Sequence, residues 1–164
     1  MLQRLSTGHW VWKVDDICGT ITPELLKALC EWRQTGFFSR EAGGVILGFI
    51  DTDTSGLLAE RITRPGLGDQ RSRYGFYRGP RHQVEAEQWH QKTGLRGTQL
   101  GIWHTHPESH PTPSHTDLED LRTVVRKGTY HGTGLMSLIV GTEFIGCWLG
   151  RRSGEITELG WIEL

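Results

Sequence analysis

The stretch Thr98-Gln99-Leu100-Gly101-Ile102-Trp103-His104-Thr105-His106-Pro107 decides the fold, because a largely apolar run ends there in two histidines and a proline. Thr98 to His104 reads as a strand, the proline-studded segment Pro107 to Pro113 as a loop, and Ser114 to Lys127 as a helix closed by Gly128. Side chains alternate faces along an extended chain, so His104 and His106 share a face and extend the parity of Leu100 and Ile102. Two imidazoles thus leave the end of a buried strand side by side.

Upstream, Glu41-Ala42-Gly43-Gly44 leads into Val45 to Ile50, a near-continuous apolar run that reads as a strand covered on both faces. Asp51 to Gly56 is a turn and Leu57 to Thr63 a further strand. Nearer the start, Trp10 to Val14 alternates like a strand, and a turn is expected around Cys18 to Ile21. Thr22-Pro23-Glu24 then supplies a cap, a first-position proline and an early acid for a helix running to about Gln34. Arg64 to Pro80 has no periodicity and four glycines, and reads as a long loop of the kind that usually signals binding. Arg81 to Lys92 is a helix ending at Gly94. Leu135 to Gly141, Phe144 to Leu149 and Glu155 to Ile162 are strands. The pattern predicts an α+β fold, one mostly β sheet with about three helices against it.

The 164 residues suit one domain spanning 1–164, and a formal net charge of -1 excludes a global electrostatic attraction to nucleic acid or anionic membrane. No apolar run approaches the roughly 18 residues of a membrane span, and residues 1–14 lack an apolar signal core. A cytoplasmic chain without a membrane partner is therefore expected. Three cysteines, Cys18, Cys30 and Cys147, lack C-x-x-C spacing and indicate neither a disulfide framework nor a thiolate metal site. Four of the eight histidines, by contrast, fall within residues 104–115.

Imidazole is a common zinc ligand, and a catalytic zinc takes three protein ligands. Asp117 is the best third candidate. It lies one turn before Leu121 on the inward side of a helix whose apolar face includes Leu118, Leu121, Val124 and Val125. Ser114-x-x-Asp117 also reads simply as a helix cap with an acid in the first turn, and both readings can hold together. The histidines could equally be ordinary strand-end side chains, and Glu41 an exposed acid at a turn. His106-x-x-x-His110 has helical ligand spacing, but Pro107 and Pro111 exclude a helix there. His110 is accordingly expected at a solvated rim, with His115 beside Ser114.

Glu41 ahead of Gly43-Gly44-Val45-Ile46-Leu47-Gly48, followed by His104-x-His106, seven residues and Ser114-x-x-Asp117, resembles the JAMM, or MPN-plus, metalloprotease motif. Every element of the motif is present. The resemblance implies a single JAMM/MPN-like, cytidine-deaminase-like domain that binds zinc through His104, His106 and Asp117. It implies Glu41 as general acid/base and Ser114 as a stabiliser of the oxyanion. The implied activity is hydrolysis of peptide or isopeptide bonds after the C-terminus of ubiquitin or ubiquitin-like proteins.

The small domain, Trp89, and the run from Leu100 to Pro107 look like the bacterial JAB-domain deconjugases of anti-phage CBASS operons. That resemblance implies a conjugated nucleotidyltransferase as substrate and a companion E1/E2-like conjugating enzyme. Other bacterial relatives trim sulfur-carrier or ubiquitin-like precursors, and the motif does not separate them. A different class of function is suggested by Arg64, Arg71, Arg73, Arg78 and Arg81, interleaved with Tyr74, Phe76 and Tyr77 against Asp69 alone. Such a loop could serve a nucleic-acid-binding module. A protein-binding surface is the favoured expectation, with Arg71, Arg73 and Arg78 pairing with acids on a folded partner.

Overall fold

The computed structural model describes all 164 residues. Strands β1 (Gln3–Arg4), β2 (Trp10–Val14) and β3 (Ile17–Ile21) precede helix α1 (Pro23–Cys30) and strands β4 (Gly43–Ile50) and β5 (Leu57–Ile62). A small hairpin, β6 (Gln70–Ser72) and β7 (Gly75–Tyr77), leads to helix α2 (Arg81–Lys92) and strand β8 (Gly97–Thr105). Helix α3 (His115–Lys127) and strands β9 (Gly134–Val140), β10 (Phe144–Arg151) and β11 (Ile156–Glu163) complete the chain. Nine strands form one mixed sheet in the order β1-β2-β3-β5-β4-β8-β9-β10-β11. The α+β expectation of one large sheet with three helices holds. No helix is long and apolar enough to cross a membrane.

β8 lies at the heart of the sheet and is buried throughout, antiparallel to β4 and parallel to β9. One face packs Ile46, Trp103 and Met136 against the α1 side, with Leu25 and Leu29. The opposite face packs Val45 and Ile102 with Leu121 and Val125 of α3. The predicted parity holds from Ile102 through His104 to His106, because His106 N–H still pairs with the Val140 carbonyl at 2.9 Å beyond the strand's end. It does not extend back to Leu100. The register with β4 slips between Ile46 and Leu47, and this bulge turns Leu100 into the α1-side cluster.

Several boundaries differ from the sequence reading for identifiable reasons. The turn expected at Cys18 to Ile21 is the second strand of a hairpin. The chain reverses instead at Asp15-Asp16, where Asp15 takes φ 51°, and Gly19 leaves room for the Trp12 ring, which would lie 2.4 Å from a Cβ there. Helix α1 begins as read, with Thr22 Oγ1 accepting from Leu25 N–H at 3.2 Å, but ends at Cys30 rather than near Gln34. Gln34 is buried, and its amide bonds to the Ser39 and Arg73 carbonyls and to Thr105 Oγ1. Those partners lie outside any continuing helix. The segment read as a structureless loop, Arg64 to Pro80, contains the β6–β7 hairpin.

The outermost strands of the sheet also meet. Leu2 N–H donates to the Leu159 carbonyl at 3.3 Å, joining the segment beside β1 to β11. On β11, Gly160 takes φ 123° opposite the register slip between Cys147 and Trp148.

Candidate metal centre and active site

Three elements bring the predicted ligands together. The end of β8 supplies His104, the extended residue beyond it supplies His106, and the first turn of α3 supplies Asp117. Helix α3 starts in a capping box. Ser114 Oγ accepts from Asp117 N–H at 3.2 Å, and Asp117 Oδ2 accepts from Ser114 N–H at 2.7 Å. Cap and candidate ligand are therefore the same carboxylate.

The donor atoms cluster, one from each residue lying within 4.8 Å of the others, with both carboxylate oxygens of Asp117 facing the imidazoles. His104 Nε2 lies 3.1 Å from His106 Nε2 and 3.2 Å from Asp117 Oδ1, and His106 Nε2 lies 3.3 Å from Asp117 Oδ2. A tetrahedral zinc with bonds of about 2.0–2.1 Å separates its ligand atoms by roughly 3.3 Å. The donor set of two imidazoles and one carboxylate is likewise a catalytic-zinc set, so the residues present fit the metal that the motif implies. Both histidines are buried. Burial works against the charge of Asp117, but hydrogen bonds from His104 and His106 outweigh it and hold the carboxyl well below its ordinary range. Burial lowers the proton affinity of His106, and its bond to Asp117 more than reverses this.

Behind these donors, His106 Nδ1 is buried without a hydrogen-bond partner. The nearest carboxylate is Glu108, whose Oε2 lies 3.5 Å away. The Glu108 backbone is fixed where Thr142 N–H donates to its carbonyl at 2.8 Å. Gly141 permits that approach, since a Cβ there would lie 2.6 Å from the Glu108 oxygen.

Glu41 is also buried, contrary to its reading as an exposed turn acid, and sits just before β4. It lines a cavity of about 230 Å³ with His104, Thr116, Asp117, Phe76 and Arg78. Burial pushes its carboxyl up to about 7, with His106 pulling the other way and the negative charges of Asp117 and Glu108 adding to the rise. Its backbone is held on both sides. Glu41 N–H donates to the Ser72 carbonyl at 2.7 Å, and Arg71 Nε donates to the Glu41 carbonyl at 2.7 Å. Ala42 N–H donates to Thr105 Oγ1 at 2.9 Å, coupling this segment to the residue between the histidines.

The site thus brings Glu41, His104, His106 and Asp117 together. Ser114 is the helix cap at the exposed rim, and the hydroxyl-bearing residue lining the cavity is Thr116, which sequence reasoning missed. His110 is exposed and stacks on Phe144 at 3.7 Å, while His115 is exposed at the start of α3.

The long loop differs from its expected role in detail. Arg71 is bound to Glu41 and lies over the Trp32 ring, and Arg78 pairs with Asp120 at 2.5 Å. Neither is a free cation awaiting a partner. Asp69, the lone acid of the loop, is its hub. The fully buried carboxylate accepts from Gly66 N–H and Gly79 N–H, each at 2.8 Å, and from His82 Nε2 at 3.0 Å. His82 Nδ1 then faces Thr63 Oγ1 at 2.5 Å, which also accepts from Val45 N–H. Burial outweighs the Asp69 charge and lowers the proton affinity of His82, so the ring is neutral and joins loop to sheet through both nitrogens.

Comparison with known proteins bears on this geometry. Residues 22–154 match the family described as prokaryotic homologs of the JAB domain. The chain is 33% identical over 133 residues to a protein of Escherichia coli (strain TW11681) named CD-NTase/cGAS isopeptidase, covering 80% of each chain. It is 31% identical over 154 residues to a Vibrio cholerae protein of the same name, covering 93% of this chain and 94% of that one. Among solved structures, protein DSY2949 from Desulfitobacterium hafniense shares the fold with a TM-score of 0.54 at 23% identity, over 82% of this chain and 84% of that one.

Proposed function

This chain belongs to the family of prokaryotic homologs of the JAB domain, and from that premise we propose that it is a zinc-dependent isopeptidase that releases a protein's C-terminus from an amine. The observation that carries the reading is the convergence of Glu41, His104 and Asp117 on one cavity from separate elements. His104, His106 and Asp117 hold the metal. Bound there, zinc supplies Lewis-acid polarisation of the scissile carbonyl and acidifies water to about pKa 7.

The chain's own residues do the rest. Glu41, on the wall of the same cavity as His104 and Asp117, takes a proton from the attacking water and returns it to the leaving amine. Its clamped backbone fixes where that exchange occurs. Ser114 Oγ accepts from Asp117 N–H, which leaves its own hydroxyl proton free to donate toward the developing oxyanion. Such a donor contributes on the order of 10²–10³ in rate.

The substrate is a nucleotidyltransferase conjugated through its C-terminus by a companion E1/E2-like enzyme, and the working compartment is the cytoplasm. The relatives named CD-NTase/cGAS isopeptidase support the choice of substrate. The nucleic-acid alternative loses its main support, because Arg71 and Arg78 are bound within the chain. Glu41→Gln tests the assignment. The variant should retain its metal and lose roughly 10²–10⁴ in turnover of the conjugate. Near-wild-type cleavage would overturn the role given to Glu41.

A further inference from the structure

Beside the active site the chain exposes aromatic rings that its core does not use. Phe37 is 77% exposed, Phe38 91% and Tyr74 76%, the two phenylalanines in edge contact at 5.1 Å. Each such ring buries on the order of 150–250 Å² when covered, so together they offer roughly what functional surface patches offer.

The rings are held as a unit. The Arg73 guanidinium lies over both Phe37 and Tyr74, at 5.2 and 5.5 Å, donates to the Tyr74 hydroxyl at 3.1 Å and bonds the Phe37 carbonyl. Beneath them Gln34 ties the Arg73 carbonyl to the Ser39 carbonyl. Apolar groups fixed in this way lose little conformational freedom when covered.

Two further features say what covers them. None of the chain's ion pairs involves Arg40 or Arg73, although the chain as a whole carries a net charge of -1. The aromatic patch is therefore rimmed by uncompensated positive charge, complementary to an acidic surface. The patch is also continuous with the cleft. Tyr74 is at the tip of the β6–β7 hairpin, whose other end carries Phe76 and Tyr77 into the cavity wall, about 7–10 Å along the strand.

We propose that Phe37, Phe38 and Tyr74, rimmed by Arg40 and Arg73, dock the folded body of the conjugated protein through an acidic surface bearing an apolar pocket. The inference rests on the isopeptidase reading and deepens it. The cleft handles the linkage, and this platform selects the protein attached to it. A rigid platform joined to the cleft favours a folded protein over a membrane or a nucleic acid.

The test uses the full chain and two substrates: a folded nucleotidyltransferase fused through its C-terminus to a carrier protein, and a short peptide of the same C-terminal residues joined to lysine. F37S/F38S should lower kcat/KM on the folded substrate by about tenfold or more, through KM, and leave peptide cleavage within about twofold. Arg73→Glu should act in the same direction, and added salt should weaken the wild type. Equal loss on both substrates, or none on the folded one, overturns the proposal. If the wild type cleaves neither, the isopeptidase reading fails, and docking is then read as binding of the same fusion to E41Q and to E41Q/F37S/F38S. Weaker binding by the triple variant supports the platform, and equal or absent binding overturns it. Wild-type binding to phosphatidylglycerol vesicles or single-stranded oligonucleotides that disappears in F37S/F38S would also overturn it.

Discussion

Arg71 Nε donates to the backbone carbonyl of Glu41 at 2.7 Å, so the loop clamps the proposed general base by its main chain and leaves its carboxylate free. Arg71→Lys keeps the charge but loses the planar fork. We expect kcat to fall by roughly tenfold to a hundredfold, with KM and metal content unchanged, as for a small misplacement of a reacting group. Steady-state kinetics on the conjugate check this. A raised KM at unchanged kcat would instead make Arg71 a substrate contact.

The cluster of three donors predicts about one zinc per chain in purified protein, by elemental analysis, and loss of most of it on substituting Ala for His104, His106 or Asp117. Chelation should lower the melting temperature of the wild type, and returning zinc should restore it. Full occupancy in a His104→Ala, His106→Ala double variant would remove the assignment.

Glu108 holds the nearest carboxylate to the buried Nδ1 of His106. Loss of such an outer partner typically costs about 10–100-fold in metal affinity. Glu108→Ala should weaken zinc binding within that range, and Glu108→Gln, which keeps an acceptor oxygen, should recover part of it. Competition with a chromogenic chelator measures both. Unchanged affinity in Glu108→Ala would mean that water serves His106.

Glu41 gives a pH dependence whose sign is fixed. Folding raises its pKa from 4.5 to about 7, so between those values the folded metal-free chain holds a proton that the unfolded chain has lost. The stability associated with this group is fully present below pH 4.5 and is lost as pH rises through 7. Metal-free Glu41→Gln should therefore match the wild type near pH 4.5, gain on it as pH rises, and exceed it by a constant margin above pH 7. Thermal melts across that range decide the matter. A variant less stable than the wild type at pH 8 contradicts the prediction.

What was legible in the sequence follows from how local each signal is. Strand parity placed His104 beside His106, and the caps at Thr22 and Ser114 were readable because their bonds span three residues. The bulge that turns Leu100 over depends on β4, which no local pattern reveals. Gln34 ends its helix for partners as far away as Thr105, 71 positions along the chain. Two three-residue strands are too short to show a period, so the hairpin beside Glu41 was hidden in a loop. Asp69 stood out as the lone acid among arginines. Its role did not, because two of its donors are glycine N–H groups, which carry no side-chain signal.

The meeting of the sheet's outermost strands bears on how copies of this chain behave at high concentration. Unpaired strand edges template aggregation, and short edge strands and bulges are among the devices that prevent it. Here one outer strand has two residues, the other is bent at Gly160, and the Leu2 to Leu159 bond brings the two ends of the ladder against each other. Edge-to-edge growth into fibres is thereby disfavoured. An N-terminal deletion that removed Leu2 and the first strand would expose that edge, and its mark would be turbidity on storage of a protein that still cleaves.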